Sequence, residues 1–439
     1  MASTRTDERG GGAGPRTAVV VGAGISGLTA AHLLARTHDV TLLEADSRFG
    51  GHAHTHRVAG TSGQDLRIDS GFIVHNERTY PHLLTLFAEL GVRTRQTEMG
   101  MSITCDGCGL SYAGGRGLPG LLAQPRRAVE PRFLGMLADV PRFHRLARRV
   151  LDGRAAHLQD ASLGEVLAAG RFGEYFVRHF AIPLVSCVWS AGDLDATAYP
   201  ARHLFQFLDH HGMLAITGSP TWRTVVGGSA AYVDAIVAGL RDTRTQVPVC
   251  AVTRHEDGVD VRTADGALHQ FDVAVVATHA DQALDLLADA TPAEKQDLGA
   301  IGYSVNETWL HRDATLLPAR RARSSWNYRM ASCRTPADKV CVSYWMNRLQ
   351  GLDDSADHLV TLNAPGRVAP DLVTARMRYE HPVFTHAAVA AGARLREAGG
   401  PRLAFAGAHL GWGFHEDGCR SGVEAAGRFG GTARLEDTR

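Results

Sequence analysis

The sequence predicts a two-domain α/β protein whose first domain is a parallel βαβ domain interrupted by long insertions. A strand, a glycine-rich turn, a helix and a second strand follow one another between Thr17 and Glu44. Near the other end, the short apolar run LAFAG (403–407) and the helical SGVEAAGRF (421–429) are joined by a glycine-rich turn. Because 439 residues exceed what one such domain needs, the segments between these units are expected to form a second domain.

Composition argues against several kinds of partner and compartment. The chain carries 46 Lys+Arg and 46 Asp+Glu residues, so no overall field attracts nucleic acid. Residues 1–15 are polar and glycine-rich without the apolar core of a secretion signal, and we expect a disordered tail there. No apolar run reaches the roughly 20 residues of a membrane span. The seven cysteines are scattered, which indicates reduced thiols and a cytoplasmic protein.

The N-terminal unit has the pattern of a dinucleotide-binding turn. The apolar run TAVVV (17–21) predicts a buried strand, and GAGISG follows it directly. In a GxGxxG turn the glycines permit a tight turn, close approach to a pyrophosphate and close helix packing, while helix N–H groups hold the phosphate. The acid that ends the next strand, DVTLLE, is placed to bind a ribose. The residues expected to contact the dinucleotide here are Gly22, Gly24, Ile25, Ser26, Gly27, Glu44 and Ala45.

A second glycine pair indicates FAD rather than NAD. After the ribose acid the chain reads ADSRFGGHAHT, which supplies Arg48, Gly50, Gly51 and His52. These residues suit a cofactor that continues beyond its pyrophosphate into a ribityl chain and a flavin. No other GxGxxG occurs in a strand–turn–helix setting, so electrons are expected to come from the substrate and not from NAD(P)H.

A CxxC pair lies further along the chain. Cys105 and Cys108 flank Asp106-Gly107, and the flanking runs MSIT and LSYA favour a hairpin with a two-residue turn. No second CxxC or histidine pair completes a metal set in the sequence. We therefore predict a plain hairpin and no metal site.

Several motifs together resemble the flavin-containing amine oxidase superfamily, which also includes carotenoid desaturases and protoporphyrinogen oxidases. They are VGAGISGL, the RxGG at 48–51, LAFAGA (403–408) and SGVEAA (421–426). The chain is most similar to a bacterial branch of NAD/FAD-binding proteins that often accompany cyclopropane-fatty-acid-synthase-type methyltransferases. The segments similar to that branch are DSGFIVHNERTYPHL (69–83), WRTVVGGSAAYV (222–233), YSVNETWLH (303–311), SYWMNRLQ (343–350), HPVF (381–384) and GWGFHEDG (411–418).

The resemblance implies a fold and a set of cofactor contacts. The fold class is α/β, a Rossmann-type FAD-binding domain with an inserted α+β substrate domain. It implies an FAD-binding domain from 16–99, 216–285 and 386–439, and a substrate domain from 100–215 and 286–385. The superfamily usually has an acid after FAG, where this chain has alanine. Further cofactor contacts implied are Gly71, Phe72, Ile73 and Val74 beside the flavin, Val249 at the adenine, Ala277, Thr278, Gly407 and Ala408.

The resemblance also assigns a role to the turn before the last helix. Backbone N–H groups at Gly418, Cys419 and Arg420 would face the flavin pyrimidine, where reduction places negative charge. We expect Asp417 to cap that helix, and we expect Glu416 to be structural as well. The cysteine that links flavin covalently in the superfamily lies well upstream of FAG, so non-covalent FAD is expected.

The inserted segments predict an apolar substrate site. The runs 175–190, 203–216 and 342–347 are aromatic and aliphatic, which favours an apolar tunnel over a site for a charged metabolite. Segment 117–151 interleaves arginines with apolar residues at helical spacing. Such a stretch either contacts an anionic membrane peripherally or covers the substrate pocket, and the second interpretation is favoured.

Two departures from the amine oxidase pattern affect the expected reaction. Asn306 stands where those enzymes carry a lysine near the flavin, and the chain's lysines, Lys295 and Lys339, lie elsewhere. Cys419 stands where they carry an aromatic ring before the last helix. The leading hypothesis is therefore hydride transfer from a hydrophobic substrate, a methylated fatty-acyl or lipid-like chain, to flavin N5. Oxygen or an electron carrier would then reoxidise the flavin.

Desaturation also needs a base that removes a proton from the neighbouring carbon. Amine oxidation is the second hypothesis, and a non-catalytic flavin-binding partner of a lipid methyltransferase is the third. The candidate catalytic residues are His75, Tyr303, His386, His409 and His415.

Overall fold

The computed structural model describes residues 16–215, 218–364 and 366–431. The predicted N-terminal tail, 1–15, lies outside the described residues. The strands are β1 (Arg16–Val21), β2 (His38–Leu43), β3 (Thr55–Ala59), β4 (Asp65–Asp69), β5 (His75–Asn76), β6 (Thr94–Gln96), β7 (Met101–Cys105), β8 (Leu110–Gly114), β9 (Trp222–Val225), β10 (Asp242–Arg244), β11 (Val249–Arg254), β12 (Val259–Thr263), β13 (Leu268–Phe271), β14 (Val273–Val276), β15 (Gly302–His311), β16 (Trp326–Met330), β17 (Val342–Trp345), β18 (Leu359–Leu362), β19 (Val373–Val383) and β20 (Leu403–Phe405).

Fifteen α-helices are described. They are α1 (Ile25–Leu34), α2 (Pro81–Glu89), α3 (Gly117–Leu121), α4 (Pro131–Leu151), α5 (Leu163–Ala169), α6 (Glu174–Phe176), α7 (Ile182–Trp189), α8 (Asp193–Ala198), α9 (Ala201–His210), α10 (Ala230–Gly239), α11 (Ala280–Leu286), α12 (Pro292–Gly299), α13 (Met346–Leu349), α14 (His386–Leu395) and α15 (His415–Gly427). Seven of these helices, α3 to α9, lie between β8 and β9. A π-helical turn, Val177–Ala181, joins α6 to α7.

A five-stranded parallel sheet in the order β10-β2-β1-β14-β20 forms the predicted dinucleotide-binding unit. The valines of β1 and β14 are almost completely buried, as expected for a parallel sheet covered on both faces. All five strands come from the segments that the sequence analysis gave to the FAD-binding domain. Because the strands are parallel, their carboxyl ends meet at one edge, where ligands bind in such sheets.

The two helices at opposite ends of the chain cross closely above this edge. A Cβ at Gly422 of α15 would lie 2.4 Å from the carbonyl oxygen of Ser26 in α1. The hydroxyl of Thr29 and the thiol of Cys419 are in contact nearby, at 3.6 Å. The absence of a side chain at Gly422 therefore lets α15 pack directly on α1.

A seven-stranded mixed sheet forms the second part of the molecule, in the order β19-β15-β18-β17-β16-β7-β8. Its pairings are antiparallel except for β16 and β7. Every strand comes from the inserted segments 100–215 and 286–385. Aromatic side chains of the helices between β8 and β9 join one core cluster with residues of this sheet, among them Phe133, Phe143, Phe176 and Phe205. The sequence-predicted fold class, α/β with an inserted α+β part, is confirmed.

The basic stretch 117–151 folds mainly as α4, which covers this part of the core. Phe133, Met136 and Phe143 point inward, whereas Arg145 and Arg149 are exposed. This is the pattern of a helix covering an apolar core. Among the described residues, no helix combines the length and the apolar character needed to cross a bilayer.

The hairpin predicted around the CxxC forms between β7 and β8, but its turn differs from the prediction. Cys105 pairs with Leu110, so four residues and not two lie between the last paired positions. The N–H of Gly109, at φ +67°, donates to the carbonyl of Cys105 over 2.9 Å. The two-residue turn was wrong because Cys108 continues the turn instead of beginning the return strand.

Candidate functional site

A cavity of about 910 Å³ lies between the carboxyl edge of the parallel sheet and the mixed sheet. This volume is in the upper part of the range for ligand sites. The cavity brings together most of the residues that the sequence analysis assigned to the cofactor. Those that line it are Gly22, Gly24, Ile25, Ser26, Glu44, Ala45, Arg48, Gly51, His52, Gly71, Phe72, Ile73, Val74, Val249, Ala277, Thr278, Gly407 and Ala408.

The three glycines of the turn after β1 lie in different local environments. Gly22 has φ +96°, which a side chain rarely tolerates. A Cβ at Gly27 would lie 1.9 Å from the carbonyl oxygen of Gly22, so Gly27 permits close packing behind the turn and does not line the cavity. Gly24 has ordinary backbone angles, and a Cβ there would meet no atom within 4 Å. Open space at Gly24 is the place where the GxGxxG pattern requires a pyrophosphate to approach.

The ribose acid and the second glycine pair are also built into this cradle. The N–H of Ala23 donates to Oε2 of Glu44 over 2.7 Å, and the N–H of Asp46 donates to Oε1 over 2.9 Å. Glu44 thus fixes the glycine turn, and its oxygens retain lone pairs for a ribose. The Arg48 guanidinium donates to the Gly51 carbonyl over 2.7 Å. These residues fit the adenosine and pyrophosphate of FAD.

Gly50 shapes the chain turn that carries Gly51, although it does not itself face the cavity. It has φ +110°, and a Cβ there would lie 2.5 Å from the carbonyl oxygen of Ala53, so it shapes the turn without lining the cavity.

The last helix begins earlier than predicted, which moves the expected cofactor contacts. α15 starts at His415, so Gly418, Cys419 and Arg420 lie in its second turn. The N–H of Gly418 already donates to the carbonyl of Phe414 over 3.0 Å, and Cys419 is completely buried. Because only the first N–H groups of a helix lack a partner in the ladder, the assignment of those three residues as amide contacts was wrong. Gly413, Phe414 and His415 line the cavity in their place.

Asp417 caps this helix, as expected, but it does so from inside the helix and not from the position before it. It occupies the third helical position, and its Oδ2 accepts the N–H of Phe414 over 3.1 Å. The Arg420 side chain donates to Oδ1 over 3.1 Å. Burial nevertheless raises the pKa of the Asp417 carboxyl to about 6. This hydrogen bond explains the early helix start: Asp417 was expected to precede the helix, and it lies inside the first turn instead.

The candidate catalytic residues divide into two groups. Tyr303, His409 and His415 line the cavity. His386 is exposed at the start of α14. His75 is completely buried but does not line the cavity. The expectation that His75 and His386 act in the cavity is therefore contradicted by their positions.

The three cavity candidates differ in hydrogen bonding. Nε2 of His415 is 2.7 Å from the hydroxyl of Tyr232, and its ring stacks on Phe72 at 3.8 Å. The hydroxyl of Tyr303 accepts the N–H of Ala280 over 2.9 Å. His409 has no hydrogen-bond partner for its ring among the described residues. Burial lowers the pKa of His409 to about 3, so its imidazole is neutral at pH 7.

His75 lies in an apolar cage instead. Both of its ring nitrogens are buried without a partner, and its ring is 5.4 Å from that of Phe87. Burial lowers its pKa to about 4. The motif-based prediction failed because it fixed the position of the segment in sequence but not the direction of the side chain.

Replacement of His75 by leucine should therefore stabilise the protein. Each unsatisfied buried polar group costs about 1–3 kcal/mol, so we expect the free energy of unfolding at pH 7 to rise by about 1 kcal/mol or more. His415→Leu is the matched control, because it leaves the Tyr232 hydroxyl unpaired and should destabilise the protein. Urea unfolding measures both; a destabilised His75→Leu variant with impaired flavin reduction would restore His75 as a functional residue.

Sequence reasoning missed His381, which lines the cavity from β19. The amide nitrogen of Asn306 donates to Nδ1 of His381 over 3.1 Å. Asn363 fixes the orientation of that amide by donating to the Asn306 carbonyl oxygen over 2.7 Å. The remaining ring proton of a neutral His381 is then on Nε2, and burial lowers its pKa to about 4. The pairing of Ser304 with His381 between β15 and β19 places the imidazole at the cavity, and no local sequence pattern states that pairing.

Asn306 itself does not line the cavity, although it stands where the resemblance implies a lysine. It is buried on β15 and acts on the site through His381. Asn306 is therefore a positioning residue for the imidazole.

The far end of the cavity is aromatic and aliphatic. The indole of Trp189 donates to the carbonyl of Trp412 over 3.0 Å, and Phe207 stacks on Phe414 at 4.5 Å. The turn before α15 thus supplies Phe414 to the cavity, so the expectation that Cys419 replaces the aromatic residue there was wrong. The residues lining this end are Met99, Cys187, Val188, Trp189, Ser190, Phe207, His211, Met213, Trp222, Trp326, Tyr344, Leu362 and Phe414.

Comparison with known proteins agrees with this architecture. A curated relative, coproporphyrinogen III oxidase of Mycobacterium tuberculosis, is 28% identical over 301 residues, which are 63% of this chain and 62% of the relative. The match thus spans less than two thirds of that relative's length. Cyclohexylamine oxidase from Brevibacterium oxydans has a similar fold, with a TM-score of 0.67 and 18% identity over 94% of this chain and 98% of the other. A fatty acid isomerase from P. acnes that produces CLA has a TM-score of 0.65 and 17% identity, with 94% and 98% covered.

A family model covers nearly the whole described chain. The model for flavin containing amine oxidoreductases matches residues 25–429. This range includes α1, both sheets except for β1, and α15. The chain belongs to the flavin containing amine oxidoreductase family.

Proposed function

We propose that this protein dehydrogenates a hydrophobic, lipid-like substrate, such as a methylated fatty-acyl chain, with non-covalently bound FAD as the electron acceptor. When bound, FAD supplies the capacity to accept a hydride from a C–H bond. The described cysteines form no disulfide, which is consistent with a reducing compartment, and we place the protein in the cytoplasm. The resemblance to a branch that accompanies lipid methyltransferases is consistent with this substrate class.

The observation that carries the proposal is the composition of the far end of the cavity. The thirteen residues that line this end, named with the site above, include no Asp, Glu, Lys or Arg. The one titratable imidazole there, His211, is held neutral because burial lowers its pKa to about 4. Burial of an unpaired charge is unfavourable, so this chamber favours an uncharged, apolar segment over a polyamine or a carboxylate.

Aromatic rings bound one end of the site, and the site offers a proton acceptor. Aromatic rings of Trp189, Phe207 and Phe414 close the far end. We assign the base to His409, because it lines the cavity, is neutral and has no hydrogen-bond partner among the described residues. His381 is a less suitable base because the Asn306 amide occupies its Nδ1 and leaves the proton on Nε2.

Anaerobic bleaching of the flavin absorption tests the proposal. We expect saturated or methyl-branched fatty-acyl compounds to bleach the bound flavin and apolar amines not to do so. His409→Gln should slow bleaching by about 10²–10⁴-fold, the usual contribution of a general base, while it retains the flavin. His386→Gln is the matched control, because that imidazole is exposed outside the cavity.

Each other outcome identifies a different function. Bleaching by amines alone would identify an amine oxidase, which the aromatic residue Phe414 before α15 also fits. No bleaching with either class would favour a flavin-binding partner of another enzyme. Unchanged bleaching by lipid in His409→Gln would remove His409 from the reaction but not the substrate class.

A further inference from the structure

A cluster of three cysteines and one histidine lies at the β7–β8 turn of the mixed sheet, outside the cavity. The ligand atoms of Cys105, Cys108, His179 and Cys333 all lie within 4.8 Å of one another. The thiol of Cys108 is 3.4 Å from Nε2 of His179. We propose that these four residues bind a structural zinc ion.

Three separate segments deliver these ligands, and backbone contacts fix their approach. The turn of the β7–β8 hairpin carries Cys105 and Cys108. The N–H of Asp106 donates to the carbonyl of Met330 over 2.9 Å, and a Cβ at Gly107 would lie 3.2 Å from Cα of Ser332. The segment after β16 is thereby held against the hairpin just before Cys333. The completing ligands form no sequence motif with the CxxC because His179 and Cys333 lie far from it along the chain.

The histidine is oriented for coordination by its neighbours. Nδ1 of His179 is 3.0 Å from the carbonyl oxygen of Tyr175, to which it can only donate. This bond leaves the lone pair of Nε2 free, which is the usual arrangement around metal-bound histidine. The Tyr112 hydroxyl donates to the carbonyl of His179 over 2.7 Å. His179 lies in the π-helical turn Val177–Ala181, and such turns occur frequently at functional sites.

The ligand set and its surroundings fit zinc. Three thiolates and one imidazole form one of the tetrahedral sets found in structural zinc sites. With Zn–S bonds of about 2.3 Å, tetrahedral sulfurs lie about 3.8 Å apart, so the cluster needs to contract by about 1 Å. The buried guanidinium of Arg127 donates to the carbonyl of Cys108 over 3.0 Å. Three thiolates and one divalent zinc ion together carry a net negative charge. The Arg127 guanidinium lies beside this charge and would partly neutralise it.

A zinc ion here would join three walls of the substrate cavity. α7 runs from the π-helical turn to Trp189, β16 begins at Trp326, and Met99 precedes β7; all three residues line the cavity. The ion would therefore hold the far end of the cavity in shape without contacting the substrate. This role is independent of which substrate is oxidised.

Metal analysis of the purified flavoprotein tests the proposal. We expect one zinc per chain in the wild type and in Cys250→Ser, whose exposed thiol lies far from the cluster. Cys333→Ser and Cys108→Ser should lose zinc by about tenfold or more, with a lower melting temperature. Exchange of zinc for Co²⁺ should add tetrahedral cobalt bands in the red region, where flavin does not absorb.

A second measurement keeps the test decisive if the serine variants do not fold. A strong chelator added to the wild type should release zinc and make the thiols of Cys108 and Cys333 reactive while the flavin stays bound, because Cys105 is buried. Absence of zinc after expression in zinc-supplemented medium would overturn the proposal. A disulfide within the cluster, or unchanged zinc content in Cys333→Ser, would overturn it as well.

Discussion

Replacement of Gly24 by valine should leave a folded chain that no longer retains flavin. A Cβ at this position meets no protein atom within 4 Å and requires no unusual backbone angle, so we expect the fold to tolerate valine. The added methyl groups instead enter the space in which the GxGxxG turn approaches a pyrophosphate. Overpacking of this kind costs about 3 kcal/mol, which corresponds to about a 100-fold loss of FAD affinity.

Visible absorption of the purified variant and titration with FAD measure this effect. Gly135→Val is the matched control, because Gly135 also has open space around it but lies on the exposed side of α4. The control should remain yellow. Stoichiometric FAD in Gly24→Val would show that the cofactor is held elsewhere.

Acid should unfold the protein near pH 5, and buried histidines are the cause. Burial lowers the pKa of five deeply buried imidazoles from 6.5 to about 4 or about 3, whereas in the unfolded chain they titrate at 6.5. Their contribution to stability is therefore complete above pH 6.5 and is lost as the pH falls toward 4. Each one amounts to about 3 kcal/mol when fully lost, against a typical total of about 5–15 kcal/mol. These histidines are His75, His211, His311, His409 and His415.

Two buried carboxyls have the opposite effect on stability at low pH, but their combined effect is smaller than that of the five histidines. Burial raises the pKa of Asp69 and of Asp417 to about 6, so each adds stability as the pH falls below 6. Urea unfolding at about pH 7.5, 6 and 5 measures the combined effect of these histidines and carboxyls on the free energy of unfolding. The stability gained in His75→Leu relative to wild type should grow across this series, because the variant has one fewer histidine to protonate. A flat profile for the wild type would refute the histidine explanation.

The parts of the fold that follow from local rules were predictable from the sequence. The turn after β1 needs a positive φ at Gly22, and the buried runs on either side need a parallel sheet. Both requirements are visible in a short window of residues. Glu44 was placed correctly at the cavity for the same reason, because it ends the neighbouring strand.

Features that depend on tertiary contacts were not predictable in this way. The glycine-rich turn was expected to continue to Gly418, but Gly418 lies inside α15, because Asp417 caps the helix earlier and Gly422 lets it pack on α1. Tertiary packing here outweighs helix propensity. His381 was missed for a related reason: it lines the cavity because β19 pairs with β15, and no local sequence pattern states this pairing.

The contact between α1 and α15 has a consequence for how the protein is made. Thr29 and Cys419 touch although 390 positions separate them in the chain. A ribosome therefore releases the first half of the cradle long before the helix that completes it. Nascent chains that end before α15 contain the glycine turn after β1 but lack Phe414 and His415, which line the cavity. We therefore expect tight binding of the coenzyme only after α15 has been synthesised.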